Sequence, residues 1–135
     1  MNHLPETFRK RERLCSKKII ALLFEEGKVI HTPLFRISWM EVPFCEECPA
    51  RAAFTVSKKN FRRAVDRNLL KRRMREAYRK SKNELYNTLI SRNSSIAFII
   101  IFKSADIVSF PEIEKNINDM IRKLSIALTS KKADC

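Results

Sequence analysis

The sequence predicts an α+β fold, a single-domain two-layer sandwich whose elements follow the order α-β-β-(β)-α-β-α. The chain has 135 residues and is 44% hydrophobic, which suits one buried core and one domain over residues 1–135. Strand-like alternation between residues 29 and 57 is followed by a long helical pattern. An apolar run at residues 96–102 then stands alone between two helices. Because a lone strand must pair with the earlier strands, we expect a βαβ unit.

The first helix is predicted to begin after Ser16, whose side chain can cap a helix N-terminus. The apolar positions that fit one face of this helix are Ile19, Ile20, Leu22, Leu23 and Phe24. Gly27, the only glycine in the chain, is expected to end the helix in a left-handed conformation. Residues 1–14 are polar and irregular, and residues 131–135 are expected to form a frayed tail, so we expect residues 1–14 and 129–135 to be flexible.

The next elements are predicted to be strands. Phe35, Ile37 and Trp39 alternate with polar residues, so one face of their strand should be apolar and the other exposed to water. Residues 43–49 contain two prolines and are typical of a turn, after which residues 52–57 form a further strand. Three or four strands are expected in all.

A long helix is predicted from residue 64 to residue 90, a stretch without proline or glycine. At about 100° per residue, its apolar stripe consists of Leu70, Met74, Ala77, Tyr78, Ser81 and Leu85. Pro111 marks the start of the last helix. The apolar face of that helix consists of Ile113, Ile117, Met120, Ile121, Leu124 and Leu128.

The positive charge is concentrated in one window. The chain holds 28 Lys and Arg residues against 15 Asp and Glu, a net charge of +13. Between Lys58 and Lys82, twelve basic residues stand against two acidic ones and leave +10, whereas the other 110 residues leave only +3. Such a concentration is typical of a protein that binds a polyanion.

Cations recur along one flank of the long helix at a spacing that works against helix stability. The row consists of Arg67, Lys71, Arg75 and Arg79, joined by Asn68 and Arg72. Each like-charge pair four residues apart should cost an isolated helix about 0.2–0.5 kcal/mol. Glu76 is the only acid from residue 67 to residue 83, whereas a merely solvated face normally carries both signs. We therefore predict a nucleic-acid-binding face, and structured RNA rather than DNA, since no zipper or zinc-finger pattern is present.

The four cysteines, Cys15, Cys45, Cys48 and Cys135, are expected to be reduced in a cytosolic protein. Cys45 and Cys48 have the CxxC spacing of half a zinc or redox site, but no second pair follows. We therefore expect a loop tip between two strands. No catalytic residue and no metal ligand are predicted in the chain.

Hydropathy disfavours two classes of protein. The longest apolar run, residues 96–102, falls far short of the roughly 18 residues that a membrane span needs. Residues 1–13 lack the apolar stretch of a secretory signal. We therefore expect a cytoplasmic protein without a membrane partner.

The segment from Val56 to Glu76 carries a resemblance to a known family. A strand ends in Ser-Lys-Lys and leads through Asn-Phe-Arg-Arg-Ala-Val-Asp into a helix that continues Arg-Asn-Leu-Leu-Lys-Arg-Arg-Met-Arg-Glu. This long, gap-free segment resembles the signature of the bacterial ribonuclease P protein, a component of the endonuclease that trims the 5′ end of precursor tRNA. A weaker resemblance covers the rest of the chain. It begins at Arg13-Leu14, includes the stretch from Phe24 to Gly27, and reaches the last helix.

The resemblance implies a compact α+β sandwich with a left-handed βαβ crossover. It further implies that an RNA subunit with bound magnesium is the catalyst, and that one protein binds each RNA. A cleft between the first helix and the sheet would hold the single-stranded 5′ leader of precursor tRNA, with Phe24 in the cleft. The RNA-binding residues that the resemblance implies are Lys58, Lys59, Arg62, Arg63, Arg67, Asn68, Lys71, Arg72, Arg75 and Arg79.

Two positions depart from the family pattern. Leu69 stands where the family has the second arginine of an Arg-Asn-Arg triplet, and we expect it to point about 200° from Arg67, away from both the core stripe and the basic row. One RNA contact of the family would then either be absent or be supplied by neighbouring Arg73. Ile20 replaces one of two aromatic residues of the first helix, so stacking on the leader strand should depend on Phe24.

The remaining aromatic residues divide between core and cleft. Those predicted for the core, because they lie on apolar stripes, are Phe54, Phe98, Phe102 and Tyr78. For Phe35 and Trp39 the strand register leaves both locations open.

Two other functions stay open. A ribosomal or general structured-RNA-binding protein would share the basic helix but would need no cleft. An autonomous metal-dependent nuclease would need carboxylates or a general base beside the phosphate, and the basic window offers only Asp66 and Glu76. His3 and His31 are expected to be ordinary surface or strand-end residues.

Overall fold

The computed structural model describes residues 10–133, with side chains described up to residue 129. The helices are a 3₁₀ turn at Lys10–Glu12, α1 at Lys17–Glu26, α2 at Ala64–Ser91 and α3 at Phe110–Ala133. The strands are β1 at Lys28–His31, β2 at Phe35–Val42, β3 at Ala50–Val56 and β4 at Ser95–Phe102. The predicted element order is confirmed, including the optional strand. No helix within the described range has the length and hydropathy needed to cross a membrane.

The four strands form one mixed sheet in the order β1-β2-β4-β3. β1 pairs antiparallel with β2, and β2 antiparallel with β4, whereas β3 and β4 run parallel. α2 connects these parallel neighbours, which confirms the βαβ unit. The handedness of this crossover stays a prediction.

The main apolar core lies between one face of the sheet and the helices α2 and α3. Every predicted residue of the α2 stripe is buried except the half-buried Ser81, and all six predicted residues of α3 are buried. Phe35 and Trp39 are also buried there, so neither belongs to a cleft. The predicted core aromatics are confirmed, with Phe98, Phe102 and Tyr78 buried and Phe54 half-buried.

The other face of the sheet is not the water-exposed surface that alternation in β2 predicts. α1 packs against it, and Ser38 is buried with its hydroxyl donating to the carbonyl of Leu23 at 3.2 Å. Leu23 forms a second apolar cluster with Leu14, Ala97 and Ile99. Serine is tolerated beneath the helix because its polar atom finds an acceptor.

The ends of α1 follow from local chemistry. Ser16 caps the helix as predicted, since its side-chain oxygen accepts from the N–H of Ile19 at 3.3 Å. Gly27 ends the helix, but the expected left-handed conformation is wrong, because its φ is −65°. A Cβ at this position would lie 2.5 Å from the carbonyl oxygen of Leu23, so the close approach requires glycine. Among residues 10–133, a left-handed backbone occurs instead at Asn93, with φ 51°, at the end of α2.

The expected flexibility of residues 1–14 is wrong for residues 10–14, called the arm below. Glu12 and Leu14 of the arm are buried. The N–H of Leu14 donates to the carbonyl of Ala52 at 2.9 Å, which fixes the arm along β3.

The C-terminal end also differs from the expectation. The segment predicted to be flexible at residues 129–135 continues α3 as far as Ala133, where the helix ends. The rest of the segments predicted to be flexible, residues 1–9 and 134–135, lies outside the described residues.

A buried ion pair fastens the arm to α2. The ammonium of Lys82, a residue 2% exposed, contacts the carboxylate of Glu12, which is 5% exposed. The hydroxyl of Tyr86 lies 2.5 Å from the same carboxylate and 3.2 Å from the carbonyl of Ala50. Burial raises the pKa of Tyr86 far above its ordinary value, so the phenol keeps its proton and remains a donor. Lys82 belongs to the basic window of the sequence, but in the structure it is a core residue.

Removing one partner of this ion pair should destabilise the fold strongly. We expect Lys82→Met to lower the free energy of unfolding by about 3–5 kcal/mol, because the charge of Glu12 would stay buried without a cation. The double variant Glu12→Leu/Lys82→Met should recover most of that loss, since no buried charge remains. Urea denaturation of the parent and both variants measures the difference. A double variant no more stable than Lys82→Met would contradict this account.

Candidate nucleic-acid interface

The residues predicted to bind RNA lie on α2 and on the loop before it, and are called the basic surface below. The basic surface consists of Lys58, Lys59, Arg62, Arg63, Arg67, Asn68, Lys71, Arg72, Arg75 and Arg79. None of these side chains is buried, and only Arg67, Lys71 and Arg79 are half-buried. The members on α2 recur every three or four residues, so the helix presents them along one side.

The loop between β3 and α2 is fixed by Phe61. Its buried ring packs against Phe102, with the ring centroids 5.9 Å apart. Its N–H donates to the carbonyl of Ser57 at 3.1 Å, and the N–H of Lys59 donates to the Ser57 hydroxyl at 3.1 Å. Because these contacts hold the backbone, the four cations of the loop project from a defined position.

Three neighbouring cations of α2 lack a carboxylate partner. Lys71, Arg72 and Arg75 form no ion pair and no side-chain hydrogen bond with any residue of the described range. Partial desolvation by its neighbours lowers the pKa of Arg75 from its ordinary value, although the residue as a whole is exposed, and the nearby charge of Arg13 lowers it further. Arginine still remains charged in proteins. The result is a concentration of positive charge that phosphates can neutralise.

Two members of the basic surface already have partners within the protein. A terminal nitrogen of Arg67 donates to the carbonyls of Phe61 at 2.8 Å and Arg62 at 2.9 Å. Arg67 therefore ties the loop to the first turns of α2. Arg79 forms an ion pair with Glu76 one turn earlier, and its hydrogen bond lowers the pKa of that carboxyl.

The position that departs from the resembled signature adjoins the basic surface. Leu69 is half-exposed and borders a shallow depression together with Arg72 and the exposed Val65. The prediction that Leu69 lies away from the basic row is therefore wrong. Arg73, the expected substitute, donates instead to the carbonyl of Val108 at 2.6 Å and anchors the loop between β4 and α3.

Phe24, the residue expected in a cleft, is 52% exposed near the end of α1. Ile20, one turn earlier, is half-buried. On the sheet face that α1 covers, Arg36, Ile101 and Thr55 lie side by side in register and stay half-exposed. An exposed ring and a partly open sheet face on the same side of the molecule suit a single nucleic-acid strand.

Sequence reasoning gave no site role to Arg13 and no structural role to Glu12. Arg13 forms an isolated parallel bridge with Ala52 of β3, which brings it towards Arg75. The two arginines and the half-buried Phe54 line a pocket of about 180 Å³. No periodic pattern could have revealed this, because the arm is too short to show one.

The CxxC segment occupies a reverse turn between β2 and β3, as predicted. The N–H of Cys48 donates to the carbonyl of Cys45 at 3.2 Å. Cys48 is buried, Cys45 is half-buried, and Cys15 is exposed. In residues 10–133, no three His, Cys, Asp or Glu side chains come together as a metal site. His31 is exposed at the end of β1. The residues with these side chains that lie outside the described range are His3, Glu6, Asp134 and Cys135.

The contacts of Arg67 predict a difference between two cations that the sequence places in the same row. Arg67→Ala should lower the free energy of unfolding by about 1–2 kcal/mol, because two loop carbonyls lose a charged donor. Lys71→Ala, the matched control one turn later, should change it by less than about 0.5 kcal/mol. Thermal and urea denaturation measure both. Equal stability of the two variants would mean that Arg67 does not hold the loop.

Comparison of the sequence with those of known proteins finds the family that the segment from Val56 to Glu76 resembles. The sequence profile of the family described as Ribonuclease P matches residues 8–125. The ribonuclease P protein component of Porphyromonas gingivalis is 34% identical over 130 residues, which cover 90% of each chain. That of Chlorobium phaeobacteroides is 40% identical over 83 residues, which cover 59% of this chain and 57% of the relative.

Solved structures share the fold. The RNase P protein from Thermotoga maritima superposes with a TM-score of 0.65 at 22% identity, over 84% of this chain and 97% of that one. The RNase P protein of Staphylococcus aureus gives a TM-score of 0.63 at 20% identity, over 84% and 94%. These likenesses confirm the α+β fold. With the profile match and the relatives in sequence, they identify the chain as a member of the bacterial ribonuclease P protein family.

Proposed function

We propose that this chain is the protein subunit of ribonuclease P, which binds the catalytic RNA and the 5′ leader of precursor tRNA and so promotes maturation of the tRNA 5′ end. Membership of the family supports the subunit role. The observation that best supports RNA binding concerns Lys71, Arg72 and Arg75. None of these three cations forms an ion pair with a carboxylate of the described residues. RNA phosphates supply the missing negative charge.

The shape of the basic surface suits a folded RNA. α2 has 28 residues and is therefore about 42 Å long, a rigid rod that can contact phosphates of more than one RNA segment. Guanidinium groups such as that of Arg72 bind phosphate oxygens in a bidentate manner. Asn68, exposed among them, can donate to and accept from a ribose or a base edge.

A separate surface suits the leader. Phe24 is exposed on α1, and aromatic rings stack on unpaired bases of any sequence. Arg36 adds a half-exposed cation on the same side of the sheet. A ring for a base and a cation for a phosphate are what an extended single strand requires.

The chemistry of cleavage belongs, in this proposal, to the RNA with magnesium held mainly by the RNA. Magnesium prefers oxygen ligands, chiefly carboxylates and phosphates. The described residues do not gather such a carboxylate group, and Glu76 of the basic window is engaged by Arg79. The protein contributes charge neutralisation and positioning, with one protein per RNA, and it works in the cytoplasm.

A general structured-RNA-binding function is the alternative. It would use the same basic surface, but it gives no reason for an exposed aromatic ring on α1. Family membership does not favour it.

Reconstitution tests the proposed function. We expect Lys71→Ala and Arg72→Ala each to weaken binding of ribonuclease P RNA by about 1–2 kcal/mol, because each removes a phosphate contact. The slope of log affinity against log salt should also fall by about one per variant. Lys115→Ala, an exposed cation of α3, is the matched control and should leave affinity unchanged.

The same preparations decide between the candidate functions. The parent protein should stimulate 5′ cleavage of precursor tRNA by the RNA subunit at low magnesium, and should cleave nothing alone. Equal binding of ribosomal RNA without any stimulation of cleavage would overturn the proposal in favour of general RNA binding.

Leu69→Arg should strengthen RNA binding without harming the fold. The side chain is half-exposed beside Arg72, so an arginine would reach solvent and add a phosphate contact. We expect unfolding free energy to stay within about 0.5 kcal/mol and RNA affinity to rise by up to about 1 kcal/mol. Leu69→Gln, which changes polarity but not charge, is the control. A large fall in melting temperature would show that Leu69 contributes to packing.

A further inference from the structure

We propose that Cys45 and Cys48 form a redox-active dithiol, which a low-molecular-weight disulfide such as oxidised glutathione converts into an intramolecular disulfide. Oxidation would release one attachment of the arm and so weaken the hold on RNA. The effect on RNA rests on the proposed function, whereas the formation of the disulfide does not.

The backbone brings the two cysteines close together. They occupy the first and fourth positions of a reverse turn, closed by the N–H of Cys48 on the carbonyl of Cys45 at 3.2 Å. The Cα atoms at these positions of a turn lie within about 7 Å of each other. A disulfide needs Cα atoms about 4.4–6.8 Å apart, so little movement of the turn is required.

Both cysteines also line one cavity. It has a volume of about 440 Å³ and lies between α1 and the adjoining ends of the strands, with Ile19, Leu22 and Met40 among its walls. The two residues therefore border a common space beside the turn that joins β2 and β3.

The two thiols differ in access. Cys45 is half-buried and can meet a small oxidant, whereas Cys48 is 3% exposed. Burial raises the pKa of the Cys48 thiol above its ordinary value. This difference assigns the first step to Cys45 and the closing step to Cys48, which should be faster at higher pH because the thiolate is the nucleophile.

The reaction then follows ordinary thiol–disulfide exchange. The thiolate of Cys45 attacks one sulfur of oxidised glutathione, breaks the disulfide bond and releases one glutathione. The thiolate of Cys48 attacks the Cys45 sulfur of the mixed disulfide and releases the second glutathione. The protein loses two hydrogens and is oxidised, while one glutathione disulfide is reduced to two thiols that carry those protons.

Oxidation would act on the arm by removing a hydrogen-bond donor, the thiol of Cys48. The Cys48 thiol donates to the carbonyl of Arg11 at 3.1 Å, and a disulfide sulfur has no hydrogen to donate. The side chain of Arg11 is paired with Glu47 of the same turn at 3.2 Å, so a shift of the turn disturbs both attachments. Arg11 directly precedes Glu12 and lies two residues before Arg13, which the arm holds near the basic surface.

Mass spectrometry of a variant that retains only this pair tests the chemistry. The full-length variant Cys15→Ser/Cys135→Ser is incubated with oxidised glutathione, and we expect the loss of two hydrogens with no retained glutathione. Adding Cys48→Ala should instead leave a stable glutathione adduct on Cys45. An adduct that persists on Cys45 while Cys48 is present, or no reaction at either thiol, would overturn the proposal.

RNA binding tests the consequence. The oxidised form of the two-cysteine variant should bind ribonuclease P RNA about two- to tenfold more weakly than the reduced form, the change equivalent to one hydrogen bond, and dithiothreitol should restore it. Equal affinities would overturn the link to the arm. A reduced protein that binds no ribonuclease P RNA would instead refute the proposed function, and the mass measurement would still decide whether the dithiol is redox-active.

Discussion

The ion pair between Glu12 and Lys82 is the contact on which the position of the arm against α2 and β3 depends. Both charges are removed from water, a cost that a single attraction rarely offsets. Here the hydroxyl of Tyr86 adds a hydrogen bond to the carboxylate and also approaches the carbonyl of Ala50. The group therefore joins the arm, α2 and β3 at one point. Since Arg13 follows Glu12 directly, the same contact determines where an arginine of the arm meets α2.

The cations of α2 serve three different purposes, although they form one pattern in sequence. Lys82 stabilises the core, and Arg67 and Arg73 fasten loops through backbone carbonyls. Lys71 and Arg72 have no such internal partner within the described range. A strongly basic helix can thus belong to a stable fold, because some of its cations have partners within the protein and only the others remain available to RNA.

Periodic elements were predictable from sequence, and isolated contacts were not. The stripes of α2 and α3 were recognised because burial repeats with the helical period over many residues. The concentration of positive charge was predictable because uncompensated charge is visible in composition. The internal roles of Arg67 and Glu12 depend on partners far away or in irregular backbone, for which a sequence has no pattern. The error at Gly27 has a similar origin. A glycine can be required by a positive φ or by a backbone atom too close to leave room for a Cβ, and the sequence does not distinguish the two.

The bridge between the arm and β3 has a consequence for self-association. β3 lies at the margin of the sheet, where an unpaired strand offers free N–H and C=O groups to another molecule. The N–H of Leu14 donates to the carbonyl of Ala52, so the arm already occupies the middle of this edge strand. The opposite margin, β1, is only four residues long. Both edge strands are thus poorly suited to pair with a strand of another molecule, the step that leads to aggregation. This is useful in a protein that must stay dispersed until it meets its partner.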